Sequence, residues 1–403
     1  MSIRESISTP IRSQERYFGQ ADAYPTLLHA LCYGVVRVAS RHQADVQNIY
    51  ARIGSEAFRD WYQHRQTVEN IRNGQPYFNG PSPVTPPERH SPSRLLQCHR
   101  KTYYSQLNAP EETTDPRGIF WFGTHFEEDL VLPFLQDAVA DEETFVCNSL
   151  WVDFVVETDV GEIRIRGETD PVVVDSDSTP LLLFEIKTKR TVDNVTEPNR
   201  HHKAQAHAYM HGLSEKYERD IDQAVILYGG RTSLEIRSFL IEFDEAFWNE
   251  TLITWAETQT TYRLDEELPP ATPEYNWECE FCPYRERCGE GDLAYGDSTP
   301  TGLLPGFPEY PRKKVVDYLE AHQGVGLTPT LAWEYPDLAE EYRVYDWQCS
   351  RCDATHDWQI ENSTETDYST PDCPACTGIG PPGQLVDPGL NEQQPPEGIN
   401  GGT

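Results

Sequence analysis

The run LLLFEIKTKR, residues 181–190, limits this chain more than any other stretch. Three leucines and a phenylalanine mark a buried strand, yet Glu185 and Lys187 follow inside it, two residues apart. Strand alternation puts both on one face, and an unpaired charge is costly to bury. A fold that accepts this strand must compensate the carboxylate and give the lysine something to act on. Just upstream, GEIRIRGETDPVVVD (161–175) reads as a strand, a bend at Asp170–Pro171 and a second strand. With the polar turn DSDSTP before LLLFEIK, the expected arrangement is an antiparallel meander that brings Asp170 beside Glu185. Two carboxylates on adjacent strands can share a divalent cation, and oxygen ligands suit Mg2+ or Mn2+. Lys187 would then orient a water or neutralise a phosphate. Taken alone, a Glu-x-Lys pair is more often an ordinary ion pair on an edge strand.

The flanking segments change that balance. GTHFEEDLVLPFL (123–135) reads as a helix carrying His125 and Glu128, and NRHHKAQAHAYMHGL (199–213) as a helix with Gln205 and Tyr209 on one face. A helix histidine, then Asp170, then Glu185-x-Lys187, then Gln205-xxx-Tyr209 resembles the RecB-like branch of the PD-(D/E)XK nucleases. The resemblance implies an α/β, restriction-endonuclease-like core, a central mixed sheet flanked by helices. It implies that His125, Asp170, Glu185 and the backbone carbonyl of Ile186 bind Mg2+ or Mn2+. It also implies that Lys187 is the catalytic lysine and that Gln205 and Tyr209 hold the DNA or the active site. The expected activity is hydrolysis of single-stranded DNA from an end, 5′ to 3′, in CRISPR adaptation, DNA repair or recombination, or in a virus-encoded relative. A non-catalytic nucleic-acid-binding or scaffold protein that keeps the fold is the alternative. The intact set of Asp170, Glu185, Lys187 and His125 argues against it.

Cysteines supply the second constraint. WECEFCPYRERCGE holds Cys279, Cys282 and Cys288, and Cys98 precedes the nuclease segment. One cysteine before the core and three after it resembles the iron–sulfur nucleases, including the CRISPR-associated RecB-like exonuclease family. The resemblance implies a [4Fe–4S] cluster, for which four thiolates are the usual ligands. Four thiolates also suit a structural zinc, and His99 is a candidate substitute ligand. Further on, Cys349, Cys352, Cys373 and Cys376 form CxxC, twenty residues, CxxC. That is the spacing of a zinc ribbon, a structural Zn2+ site with no open position for chemistry. Cys32 and Cys147 remain, both in apolar surroundings that suit buried thiols.

The expected organisation is a helical N-terminal extension and linker (1–90), the nuclease domain with its cysteine clasp (91–295), a linker and small helical segment (296–346), the zinc ribbon (347–378) and a disordered tail (379–403). Within the helical segment, Arg312, Lys313 and Lys314 make the only dense basic cluster, more plausible as a solvated face than as a DNA reader. The formal net charge is −33, and only seven of the 33 basic residues are lysine. Such a surface suits a salt-rich cytoplasm, where screening over about 3 Å lets local basic patches bind nucleic acid despite the overall charge. The polar opening MSIRESISTPIRSQER and the short apolar run 27–39, interrupted by Arg37, predict a soluble cytoplasmic protein with no membrane partner. The expected partners are single-stranded DNA and CRISPR adaptation or recombination proteins.

Overall fold

The computed structural model describes residues 84–393 except 115, 293–294, 297, 361–370 and 377–382, together with scattered positions between 50 and 71. Cys32, most of the predicted N-terminal helical extension, residues 361–370 between the two CxxC pairs and residues 394–403 lie outside the described residues. The chain divides into two units, 1–79 and 80–403. Among the described residues no helix is long and apolar enough to cross a membrane.

The second unit opens with a short strand β1 (Arg89–His90), then helix α1 (His99–Gln106) and helix α2 (Arg117–Phe126). Helix α2 runs on through a π turn at Glu127–Val131, the short segment Leu132–Phe134 and a second π turn at Leu135–Val139. Strands β2 (Thr144–Cys147), β3 (Trp151–Thr158), β4 (Gly161–Glu168), β5 (Val172–Asp175) and β6 (Pro180–Lys189) come next. The turn between β5 and β6 is built by Asp175, whose Oδ1 accepts from the amides of Asp177 and Thr179, with Ser178 at φ +63°. Helix α3 (Arg200–Tyr217) starts where the Asn199 side chain accepts from the His201 amide, a standard N-cap. Strands β7 (Gln223–Gly230) and β8 (Ile236–Glu242) and helix α4 (Thr254–Leu264) complete this part.

Two sheets result. One runs β2-β5-β6-β7-β8, with β6 and β7 parallel and the other neighbours antiparallel. The other runs β1-β4-β3. The expected three-strand meander is therefore corrected. β5 and β6 pair as antiparallel neighbours, but β4 pairs with β3 and β1 instead. The bend at Asp170–Pro171 carries the chain from one sheet to the other.

Alternation along the five-stranded sheet splits its side chains between two cores. Val172, Val174 and Leu183 pack with Ala204, Ala208, Met210 and Leu213 of α3. Val173, Phe184 and Ile186 pack with Phe126, Val131 and Leu135 of α2. Helices thus cover both faces of a mixed sheet, the expected α/β architecture. Cys147 is half-buried against the α3-side core.

Beyond residue 285 the expected boundaries need correction. A short helix α5 (Arg285–Cys288) leads into 298–311, which is not a linker. Leu303, Leu304 and Tyr310 are fully buried and share a core with helices α6 (Arg312–Ala321), α7 (Pro329–Glu334) and α8 (Pro336–Glu341). Its glycines serve turns, with Gly302 at φ +90° and Gly306 at φ +67°. The ribbon strands β9 (Trp347–Cys349) and β10 (Thr355–His356) are joined by β11 (Leu385–Val386), inside the segment expected to be a disordered tail. Gln393 is buried as well, and its side chain exchanges hydrogen bonds with the backbone of Leu303.

Candidate functional site

Glu185 and Lys187 sit together on one face of β6, as alternation demands, and their side chains form an ion pair. Glu185 is completely buried. Lys187 Nζ meets Oε1, and the other carboxylate oxygen, Oε2, has no hydrogen-bond donor. Asp170, at the bend before β5, accepts a 2.6 Å hydrogen bond at Oδ2 from the Ile186 amide. That bond crosses from the bend to β6 and fixes Asp170 against the Glu185–Lys187 pair. Ile186 points its side chain into the α2-side core.

A third carboxylate completes the group. Burial, reinforced by the charge of Asp170, pushes Glu127 up to about 7, while Lys187 pulls it the other way. Burial raises Asp170 too, against the opposing pull of Lys187. Burial pushes Glu185 up to about 8. Burial by itself would lower Lys187, but Glu185 and Asp170 outweigh it and hold the ammonium charged. Three carboxylates surround one lysine, so with all four ionised the group carries two excess negative charges. A divalent cation would balance that excess and satisfy the unpartnered Oε2 of Glu185. The donor set is all oxygen, which suits Mg2+ or Mn2+.

His125 is not gathered with these groups. At 100° per residue it lies about 200° around the helix from Glu127. Its Nδ1 pairs with Asp129 Oδ2 at 2.6 Å, and the side chain is 43% exposed. Glu128 is exposed as well. The acid that α2 delivers is Glu127, which the sequence reading passed over.

Helix α3 closes the site from the other side. Gln205 Nε2 lies 3.3 Å from the Tyr209 hydroxyl, which donates at 2.6 Å to the Glu168 carbonyl at the end of β4. Burial, with the charges of Glu185 and Asp170, raises Tyr209 well above the usual phenol range and keeps it neutral. Its bond holds the end of β4 two residues before Asp170. Sequence reading also missed His202 and Tyr228. Burial and the nearby Lys187 and Lys189 hold His202 down to about 3, and its Nδ1 meets the Tyr228 hydroxyl at 2.8 Å.

The four clasp cysteines come together. Cys98, the N-cap of α1, lines one pocket with Cys279, Cys282 and Cys288. Arg100 Nη1 lies 3.8 Å from Cys288 Sγ. Burial pushes Cys282 up to about 12 and Cys288 up to about 11, so as free thiols they stay protonated and unreactive. His99 is engaged elsewhere, with Nδ1 2.9 Å from Gln259 Oε1 and its ring stacked on Trp255. In the ribbon, Cys349 Sγ lies 3.7 Å from Cys376 Sγ and Cys352 Sγ 3.8 Å from Cys373 Sγ, all four within 4.8 Å of one another. Zinc–sulfur bonds of about 2.3 Å in a tetrahedron require sulfurs about 3.8 Å apart, so the ribbon fits one zinc ion. Among the described residues it is the group of metal-ligating side chains drawn that close.

A family model of the PD-(D/E)XK nuclease superfamily matches residues 84–289, the span from β1 through α5. The chain belongs to that superfamily. Nucleases of the PD-(D/E)XK superfamily use divalent metals, in agreement with the oxygen donors around Lys187. The crystal structure of SSO0001 is similar at 17% sequence identity, over 56% of this chain and 94% of that one, with a TM-score of 0.37. No curated protein matches the chain.

Proposed function

We propose that this PD-(D/E)XK nuclease hydrolyses single-stranded DNA from an end, 5′ to 3′, and that it serves CRISPR adaptation or DNA repair and recombination. The observation that carries the catalytic reading is the fully buried Glu185, ion-paired with Lys187 and with Oε2 unpartnered, beside Asp170 held at 2.6 Å by the Ile186 amide. Glu185, Asp170 and Glu127 hold the Mg2+ or Mn2+ ion, and the Ile186 carbonyl is a further donor. Divalent-metal chemistry at this spot supplies Lewis acidity toward the scissile phosphate and its attacking water. Lys187, kept protonated by its acidic neighbours, neutralises charge that builds on the phosphate. Tyr209 and Gln205 are positioning residues that fix the end of β4 and with it Asp170.

In the same reading the clasp holds a [4Fe–4S] cluster through Cys98, Cys279, Cys282 and Cys288. Support comes from four thiols, one from before the core and three from after it, lining one pocket. Zn2+ in the ribbon is structural.

The test is a cleavage assay on end-labelled single-stranded DNA with Mn2+ at high salt, comparing wild type with Glu185→Ala. Cleavage by wild type alone supports the assignment, and the product ladder gives the direction. DNA bound but uncut by both proteins would overturn the catalytic reading.

A further inference from the structure

A second polar cavity lies in the nuclease unit, apart from the carboxylate site. It has a volume of about 250 Å³ and is lined by Arg89, Arg94 and Arg166 with His90, Thr102 and Ser105. No carboxylate lines it, in a chain whose formal net charge is −33. The three guanidiniums come from different elements. Arg89 is on β1, Arg94 lies beyond it in a short 3-10 turn, and Arg166 is on β4. Parallel pairing of β1 with β4 brings the first and third together. Arg94 donates to Ser105 of α1, and Arg166 lies over the Trp151 ring at 5.1 Å. Among the described residues neither Arg89 nor Arg166 forms an ion pair.

Two buried polar atoms at this cavity lack partners. Thr102 is 1% exposed and its Oγ1 has no hydrogen-bond partner. His90 is 3% exposed; its Nε2 lies 2.9 Å from Thr260 Oγ1, while Nδ1 has no partner. Three guanidiniums with no carboxylate among the lining residues mark a place for a ligand rich in acceptors. Burial holds His90 down to about 4, so the imidazole is neutral and adds no charge to the cavity. A tetrahedral oxyanion matches this set, because guanidinium forks bind phosphate oxygens in pairs. The cavity exceeds the roughly 30 Å³ share of one water several-fold.

Position narrows the source of that phosphate. Arg166 lies on the strand that leads to Asp170, four residues on. At about 3.3 Å per extended residue the two are within about 13 Å. We propose that this cavity grips a backbone phosphate of the nucleic-acid strand a few nucleotides from the scissile one, so that Arg89, Arg94 and Arg166 hold the strand while the carboxylate site cuts it. The inference rests on the nuclease reading for its substrate class.

The test uses the full chain carrying Arg89→Gln and Arg166→Gln together, and separately Thr102→Val, which removes an unpartnered hydroxyl without opening a cavity. Binding of a labelled 20-nucleotide single strand is measured by fluorescence anisotropy in a Glu185→Ala background. Cleavage of the 20-mer and of a dinucleotide, which has one phosphodiester, is measured without that background. The double variant is expected to bind the 20-mer about tenfold or more weakly. The slope of log affinity against log salt should fall by about one to two. Its kcat at saturating 20-mer and its kcat/KM on the dinucleotide should stay within about twofold of wild type. Thr102→Val, whose hydroxyl is buried, is the control and should stay within about twofold of wild type in 20-mer affinity. Unchanged 20-mer affinity overturns the inference, and if inorganic phosphate still binds the wild type under those conditions the pocket serves a free anion. Equal losses on the 20-mer and the dinucleotide overturn it in favour of a structural role. Failure of the nuclease reading shows separately: a parent that never cuts, with strand binding still lost in the double variant, leaves the pocket standing.

Discussion

At the residue scale the site turns on which side of α2 faces the sheet. His125 and Glu127 are two positions apart, yet one pairs with Asp129 in solvent and the other is pushed up to about 7 by burial beside Asp170. Replacing Glu127 by Ala should cut cleavage at least about 100-fold if it holds the metal directly as proposed, since loss even of a group one step removed costs about 10–100-fold. His125→Ala should leave it near wild type, and steady-state rates with Mn2+ compare the two directly. Glu185, Lys187 and Asp170 were legible because strand alternation is strict and a polar pair in an apolar run stands out. Glu127 was not, because Glu127, Glu128 and Asp129 form an unbroken acidic run with no period to select one of them. His90 allows a pH prediction. Burial lowers it from 6.5 to about 4, so protonation favours the unfolded chain. Its contribution to stability is full above pH 6.5 and is lost as pH falls through about 4. The difference is on the order of 3 kcal/mol. Urea midpoints measured from pH 7 to pH 4 should fall less steeply for His90→Gln than for wild type.

At the scale of elements, α2 reaches the sheet through a close approach at Gly229 of β7. A Cβ there would come within 2.1 Å of the Phe126 ring. Phe126 is 3% exposed and precedes Glu127, where the helix widens into its first π turn. Such turns recur at functional sites because the extra residue rotates the rest of the helix about its axis. Gly229→Ala should destabilise the fold by about 1–3 kcal/mol through overpacking. It should also lower cleavage by displacing Glu127, which thermal melts and rate measurements together would reveal. A sequence reading sees neither the π turn nor the contact, since both depend on packing between residues roughly 100 positions apart. The ribbon was readable from its cysteines, but its third strand was not, because Leu385 sits among prolines and glycines that look like a tail. Trp347, fully buried, packs on Trp333 at a ring distance of 4.9 Å. Cys349→Ser should therefore release zinc and red-shift tryptophan emission while sparing DNA cleavage, since no ribbon residue lies among the catalytic carboxylates.

At the scale of the whole molecule, the C-terminal part is bound into the nuclease unit. Arg287 of α5 is fully buried and donates to the carbonyls of Thr299 and Gly302, while its amide donates to Glu112 at 2.8 Å. Reading 296–311 as a linker failed because proline and glycine mark turns whether or not the intervening leucines are buried. The clasp was anticipated from cysteine order and depends on contacts across the whole domain. On the proposed cluster assignment, Cys98→Ser should lower iron content and the melting temperature; a colorimetric iron assay and a thermal melt check both, and unchanged iron would mean that another group is the fourth ligand.

The clasp also sets an order of events during synthesis. Cys98 leaves the ribosome before the 180 residues from 99 to 278 that separate it from Cys279. At roughly 5–20 residues per second that is a wait of roughly 10–40 s. Glu127, Asp170, Glu185 and Lys187 all emerge within it. The proposed catalytic residues are therefore present in a half-made chain before the last three clasp thiols arrive, and a clasp of all four cysteines can close only once Cys288 has emerged.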